Sequence, residues 1–331
     1  MQKKLVNIIT YLLTLILCAF LIWLTVKDLN QEDISKIKFS VSKAKFFLII
    51  PIVIMGFVSH WSRAVRWKYL MEPLNYYPKT TNAFFAVMVG YLANLAFPRL
   101  GEVLKCTILA RYEKIPADKL VGTIIAERAF DMLCLLILFV ITFLVQIDLA
   151  VHYFNELILR FNQSDSSLQN KIYILLILFV LFFLSFFLFK NKIKNTAVYK
   201  KIENIIINII SGIMSFKSMK NKKGFVFHTV LIWTMYFSMI QLGFYSIGET
   251  SVLTYKTAFS VLSFGSVGMI LTPGGIGAYT LLVQEIISLY GIENAFSVAI
   301  SWIIWLVPTL IILIGGTASL ILLPIYNRNT K

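Results

Sequence analysis

Glu127, Arg128 and Asp131 interrupt the apolar run 120–145 with three ionisable side chains, in a stretch otherwise suited to crossing a membrane. Charge is costly in hydrocarbon, so such residues face a protein interior or a wet cavity. On a helix, Glu127 and Asp131 stand at i and i+4 and share one face, while Arg128, three residues before Asp131, can neutralise it in part. Arg99, Arg63 and Arg66 are available as further partners. Two readings fit: a polar path for a charged ligand, or a salt bridge that locks helices together.

Two other motifs have the residue types that hold an anion. Pro273-Gly274-Gly275-Ile276-Gly277 breaks the apolar region 258–289. Proline cannot continue the hydrogen-bond ladder, and glycine permits the turn and the close approach of a ligand. The half-helix that follows would aim free backbone N–H groups and its positive dipole end into the protein, a ready site for phosphate or carboxylate. A kinked helix or an exposed loop is the plainer alternative. Pro98-Arg99-Leu100-Gly101-Glu102 is the counterpart break after 83–97 and adds a fixed cation. Arg99 can grip a phosphate through its two-pronged guanidinium, or it can snorkel to headgroups or pair with Glu102. Arg63, Arg66 and Lys68, interleaved with Trp61 and Trp67, read as a basic and aromatic belt where the second helix meets the cytoplasmic interface. Glu285 can complement the second break.

No catalytic set stands beside these groups. The sequence has no GxSxG elbow, P-loop or HExxH, and His60, His152 and His228 lie far apart. Cys18, Cys106 and Cys134 form no CxxC pair and no zinc spacing, so they read as reduced packing residues and neither metal nor cofactor is expected. The formal net charge of +15 is gathered between apolar segments, which points to anionic lipid headgroups and away from nucleic acid.

The elements that position these residues follow from the composition. With 58% hydrophobic and 14% charged residues among 331, and a mean hydropathy of +0.79, this is an all-α, polytopic membrane bundle in one domain. Spanning helices are expected at 5–26, 46–60, 120–145, 172–189, 225–247 and 296–323, with the two broken regions forming re-entrant hairpins. Lys3 and Lys4 precede an apolar run too long for a signal-peptide core and lacking a cleavage site, so it should remain as the first helix. Segment 190–223 carries nine lysines against the single acid Glu203, which places it and both termini in the cytoplasm. Lys27, Lys36, Lys38, Lys43 and Lys45 pull the other way.

Even parity then requires each broken region to cross twice or not at all. Each arm of the second, about 15 residues or roughly 23 Å, is short for a full span. The chain divides into a first helix and loop (1–45), a first unit (46–145), a linker helix with a basic loop (146–224) and a second unit (225–324). Each unit reads as helix, broken hairpin, helix, and they would enter the membrane from opposite sides, as inverted repeats do in transporters. A modest echo supports this: Val89-Gly90 precedes Pro98 as Val267-Gly268 precedes Pro273.

At these motifs, taken together and in this order, the chain resembles the flippase-like membrane domain of lysylphosphatidylglycerol synthases, a family that also contains stand-alone membrane proteins. The resemblance runs from the second helix to the last. It implies translocation of a lipid, in the best-known members an aminoacylated phosphatidylglycerol, from the inner to the outer leaflet. The soluble aminoacyl-transferring domain of full-length synthases has no counterpart before Lys331, so lipid lysylation by this chain alone is not expected. One departure bears on the substrate. Many relatives carry an acid in a PGGxGxxE pattern, where this chain has Thr280, which favours an anionic phospholipid or polyprenyl phosphate over a cationic headgroup. The expected substrate contacts are Arg99, Gly101, Glu102, Glu127, Arg128, Asp131, Pro273, Gly274, Gly275 and Gly277. Alternatives are a membrane-embedded lipid-phosphate transferase or hydrolase, a non-catalytic partner of a lipid-modifying enzyme, and a small-solute transporter.

Overall fold

A computed structural model describes residues 2–97, 99–147 and 216–328. The expected span 172–189, Pro98, His152 and most of the basic segment 190–223 lie outside the described residues. Among the described residues every regular element is helical.

Helix α1 (Gln2–Val26) turns by 94° into α2 (Gln31–Ser42). The sequence reading left this second stretch as loop. Its helix start is nonetheless encoded: the Asn30 side chain accepts from Asp33 N at 2.9 Å and Asp33 accepts from Asn30 N at 3.0 Å, a reciprocal cap. Glu32 and Lys36, at i and i+4, add an ion pair of 3.0 Å. With Glu32, Asp33, Lys36 and Lys38 in 12 residues, α2 is too charged to cross hydrocarbon. Its Lys36 reaches Glu293 at 2.6 Å, and the Glu293 and Glu32 carboxylates hold that ammonium above its ordinary value.

Four stretches are long and apolar enough to span: Phe46–Leu74, Ala117–Val145, Lys222–Phe244 and Asn294–Tyr326. They contain α3 (Ile49–Met71), α6 (Ala117–Val145), α7 (Lys222–Phe244) and α10 (Asn294–Tyr326). Between them lie the broken regions, α4 (Thr80–Ala96) with α5 (Leu100–Glu113), and α8 (Tyr255–Leu271) with α9 (Ala278–Leu289). At 17, 14, 17 and 12 residues these arms measure roughly 25, 21, 25 and 18 Å, all short of a hydrocarbon core of about 30 Å.

Both broken regions fold back on themselves as helical hairpins, α4 against α5 and α8 against α9. Glycine allows the close approach in each. A Cβ on Gly101 would collide with the Gly90 carbonyl oxygen, and one on Gly268 would lie 2.7 Å from the Tyr279 Cα. The paired Val-Gly dipeptides of the sequence therefore have a shared physical cause. The packing between units is reciprocal as well: α3 lies on α7, α4 on α10, and α8 on α6, so exchanging the units maps these contacts onto one another.

Candidate functional site

Helix α3 runs eleven residues past the expected end at His60, to Met71. The stretch read as an interfacial belt is therefore helix interior. Arg63 and Arg66 are 6% and 0% exposed, Trp67 is 0% exposed, and its indole N–H donates to Thr123 Oγ1 at 2.9 Å. The pair at i, i+3 on α3 faces the pair at i, i+4 on α6. Arg63 Nη1 donates to Asp131 Oδ2 at 2.6 Å and Arg66 Nη2 to Asp131 Oδ1 at 2.6 Å, so each oxygen of one carboxylate is held by a different guanidinium. Both arginines also lie 3.4 Å from Glu127 Oε1.

The fifth member is on α5, the element that carries the expected contact Glu102, but it is a residue that the sequence reading did not single out. Lys105, on α5, is 8% exposed, donates to Glu127 Oε2 at 2.6 Å and lies 4.1 Å from the Trp67 ring centroid. The first hairpin is thereby tied to α6 by a buried charge. The cluster sets three cations, Arg63, Arg66 and Lys105, against two carboxylates, Glu127 and Asp131. Among the described residues, Arg63 Nε, Arg66 Nε and Arg66 Nη1 are buried without a hydrogen-bond partner. A buried ion pair survives only when its desolvation is offset by close partners, and stranding one member costs about 3–5 kcal/mol.

Arg128 forms no ion pair with Asp131 among the described residues; its Nη2 donates to Glu102 Oε1 at 2.9 Å across to α5. Glu102 is thus paired with Arg128 and not with Arg99, while its Oε2 is buried and unpartnered. This pair stands at a half-open cleft between α4, α5 and α6, lined by Gly90, Asn94, Gly101, Glu102, Lys105 and Arg128 among others. Asn94 Oδ1 accepts from Gly101 N at 2.8 Å and shapes the floor. The enclosed part of the cleft has room for little more than a water molecule, so a headgroup needs the hairpin to move.

The structure therefore brings Gly101, Glu102, Glu127, Arg128 and Asp131 together, adds Arg63, Arg66 and Lys105, and leaves the remaining expected contacts elsewhere. Arg99 opens α5 with φ 65°, a left-handed backbone, and is exposed with no ion pair among the described residues. Gly274 packs on Leu95 of α4, and its carbonyl accepts from Trp305 Nε1 at 2.9 Å. Pro273 and Gly275 are buried, Gly275 against Met269 and Tyr279. Gly277, with φ 75°, lies against Cys18, Leu21 and Ile22 of α1. These glycines seat neighbouring helices against the start of α9. Thr280 is fully buried and donates to Gly277 O at 3.1 Å. Glu285 is exposed, without an ion pair among the described residues.

A longer helix at α3 is the signal that selects Arg63 and Arg66 over Arg99 as the partners: their i, i+3 spacing is complementary to that of Glu127 and Asp131. Among the described residues no group of His, Cys, Asp and Glu is arranged to hold a metal ion.

Comparison with known proteins agrees with the membrane fold. The chain is 24% identical over 319 residues to a UPF0104 membrane protein of Methanocaldococcus jannaschii, covering 87% of this chain and 88% of that one. No solved structure matches it. Residues 8–316 match the family described as lysylphosphatidylglycerol synthase TM region, which spans the charge cluster, the cleft and both hairpins. The chain belongs to the lysylphosphatidylglycerol synthase TM-region family.

Proposed function

We propose that this protein is a lipid translocase that moves a phosphate-bearing lipid, a phospholipid or a polyprenyl phosphate, between the leaflets of the cell membrane. The supporting observation is the surplus cation of a buried five-residue charge cluster, set beside a half-open cleft in helices built for hydrocarbon. Charge is retained at such depth when it serves a path or a ligand. The net positive cluster favours an anionic group, and Arg128 at the cleft mouth gives that group a first partner. The apolar tails would stay in the bilayer while the headgroup follows the polar face.

The reciprocal packing of the two units supports a repeat arrangement in which one unit rocks against the other, and the lysine-rich segment 190–223 supports cytoplasmic termini. A driven cycle requires that lipid bind one arrangement better than the other.

The test is leaflet-resolved movement of labelled phosphatidylglycerol and labelled polyprenyl phosphate in vesicles containing purified protein. Wild type should accelerate one of them over protein-free vesicles, and Glu127→Gln should abolish the acceleration. Arg99→Ala, at an exposed position outside the cleft, should reduce it far less. No acceleration by wild type, or equal rates in wild type and Glu127→Gln, would remove this function.

A further inference from the structure

We infer that Lys105 is the cation that receives the ligand's phosphate, and that it does so by leaving Glu127. This rests on the translocase reading and assigns the residue that such a site needs. Asp131 has both of its oxygens held at 2.6 Å by Arg63 and Arg66. Glu127 has Lys105 at 2.6 Å on Oε2 and both arginines at 3.4 Å on Oε1. With three cations for two carboxylates, one cation can depart without stranding a buried acid. The arginines are fixed on α3, deep in the packing, whereas Lys105 sits on the hairpin, lines the cleft and ends in a flexible four-carbon stem.

Lys105 and Arg128 border the same cleft, Arg128 paired there with Glu102 and half exposed, Lys105 buried deeper. A tetrahedral phosphate monoester or diester entering there meets a guanidinium first and an ammonium second. Transfer of Lys105 from Glu127 to the phosphate also cuts the buried ion pair between α5 and α6. Ligand entry and release of the hairpin from the cluster thus become one event. Glu127 competes with the ligand for Lys105, and this gives two substitutions opposite effects.

The experiment is native mass spectrometry of the purified full chain with phosphatidylglycerol, with phosphatidylcholine, and with inorganic phosphate as competitor. Wild type should retain phosphatidylglycerol in preference to phosphatidylcholine. Lys105→Gln should weaken that retention about tenfold, and Lys105→Arg should restore most of it. Glu127→Gln should strengthen it several-fold, because Lys105 is then uncontested. A residue that merely holds the fold gives weakening in both positions. Unchanged retention in Lys105→Gln, or weakening in Glu127→Gln, overturns the inference. Should Lys105→Gln fail to fold, the direction of change in Glu127→Gln decides alone. Displacement of the lipid by millimolar phosphate assigns the site to the free ion, and resistance assigns it to the lipid headgroup. Absence of any preference in wild type defeats the translocase reading together with this inference, whereas preference without dependence on Lys105 defeats the inference only.

Discussion

The α4–α5 hairpin is joined to α6 by charge: Lys105 to Glu127 within the packing and Glu102 to Arg128 at its edge. The α8–α9 hairpin meets the other end of the same helix through neutral groups. Thr142 and Ser263 share a hydrogen bond of 2.8 Å, Gln146 donates to the Lys256 carbonyl at 2.8 Å, and Gln146 also bonds the Tyr290 hydroxyl. Both hairpins use glycine to bring their arms together, and beside the first lies a cleft bordered by the buried, unpartnered Glu102 Oε2. Neutral hydrogen bonds between membrane helices are individually weak and replaceable. Buried charges are costly to strand and responsive to a new counter-ion. The lesson is a division of interactions, with one hairpin held to α6 by neutral hydrogen bonds and the other by charge.

The contrast breaks most severely at Asp131. Asp131→Asn removes the common partner of Arg63 and Arg66 and should cost about 3–5 kcal/mol, read as a large fall in the unfolding midpoint in detergent. Gly101→Ala should cost about 1–3 kcal/mol, because its Cβ meets the Gly90 backbone, which cannot swing aside; Gly122→Ala, with nothing within 4 Å, is the neutral control in the same assay. Lys105→Gln should cost about 1–2 kcal/mol, less than Asp131→Asn, since Glu127 keeps two arginines. On the neutral side Thr142→Val should cost only about 0.6 kcal/mol and leave lipid movement intact. If Thr142→Val instead proved as costly as Asp131→Asn, the contrast between the hairpins would be lost.

Much of this was legible in the residues themselves. Glu127 and Asp131 announce a shared buried face by their spacing, and Pro273 with its glycines announces a hairpin turn because no helix continues through it. Arg63 and Arg66 stand among the expected partners of the two acids, but they also read as an interfacial belt since hydropathy falls from Ser59 onward, and a polar helix interior looks the same as a helix end in a sliding average. Lys105 was hidden for a related reason: α5 mixes Glu102, Lys105, Arg111 and Glu113 with apolar residues, and only tertiary packing shows which of its charges is buried. Glycines that can approach a ligand can equally approach a helix, and here Gly274 lies against Leu95 and Gly277 against α1. The helix α2 was missed although the cap formed by Asn30 and Asp33 is written in the sequence, because lysine-rich segments between spans resemble loops.

The most direct test joins residues 102 and 128 as cysteines with a short bifunctional thiol reagent, in a background with Cys18, Cys106 and Cys134 replaced. A second protein joins 142 and 263 in the same way, and leaflet-resolved movement of phosphatidylglycerol is followed in vesicles before and after linkage. Bridging the cleft mouth should stop movement, and bridging the neutral contact should leave it unchanged. Undiminished movement with 102 and 128 joined, or equal loss at both positions, would contradict the assignment of the ligand path to the charged hairpin.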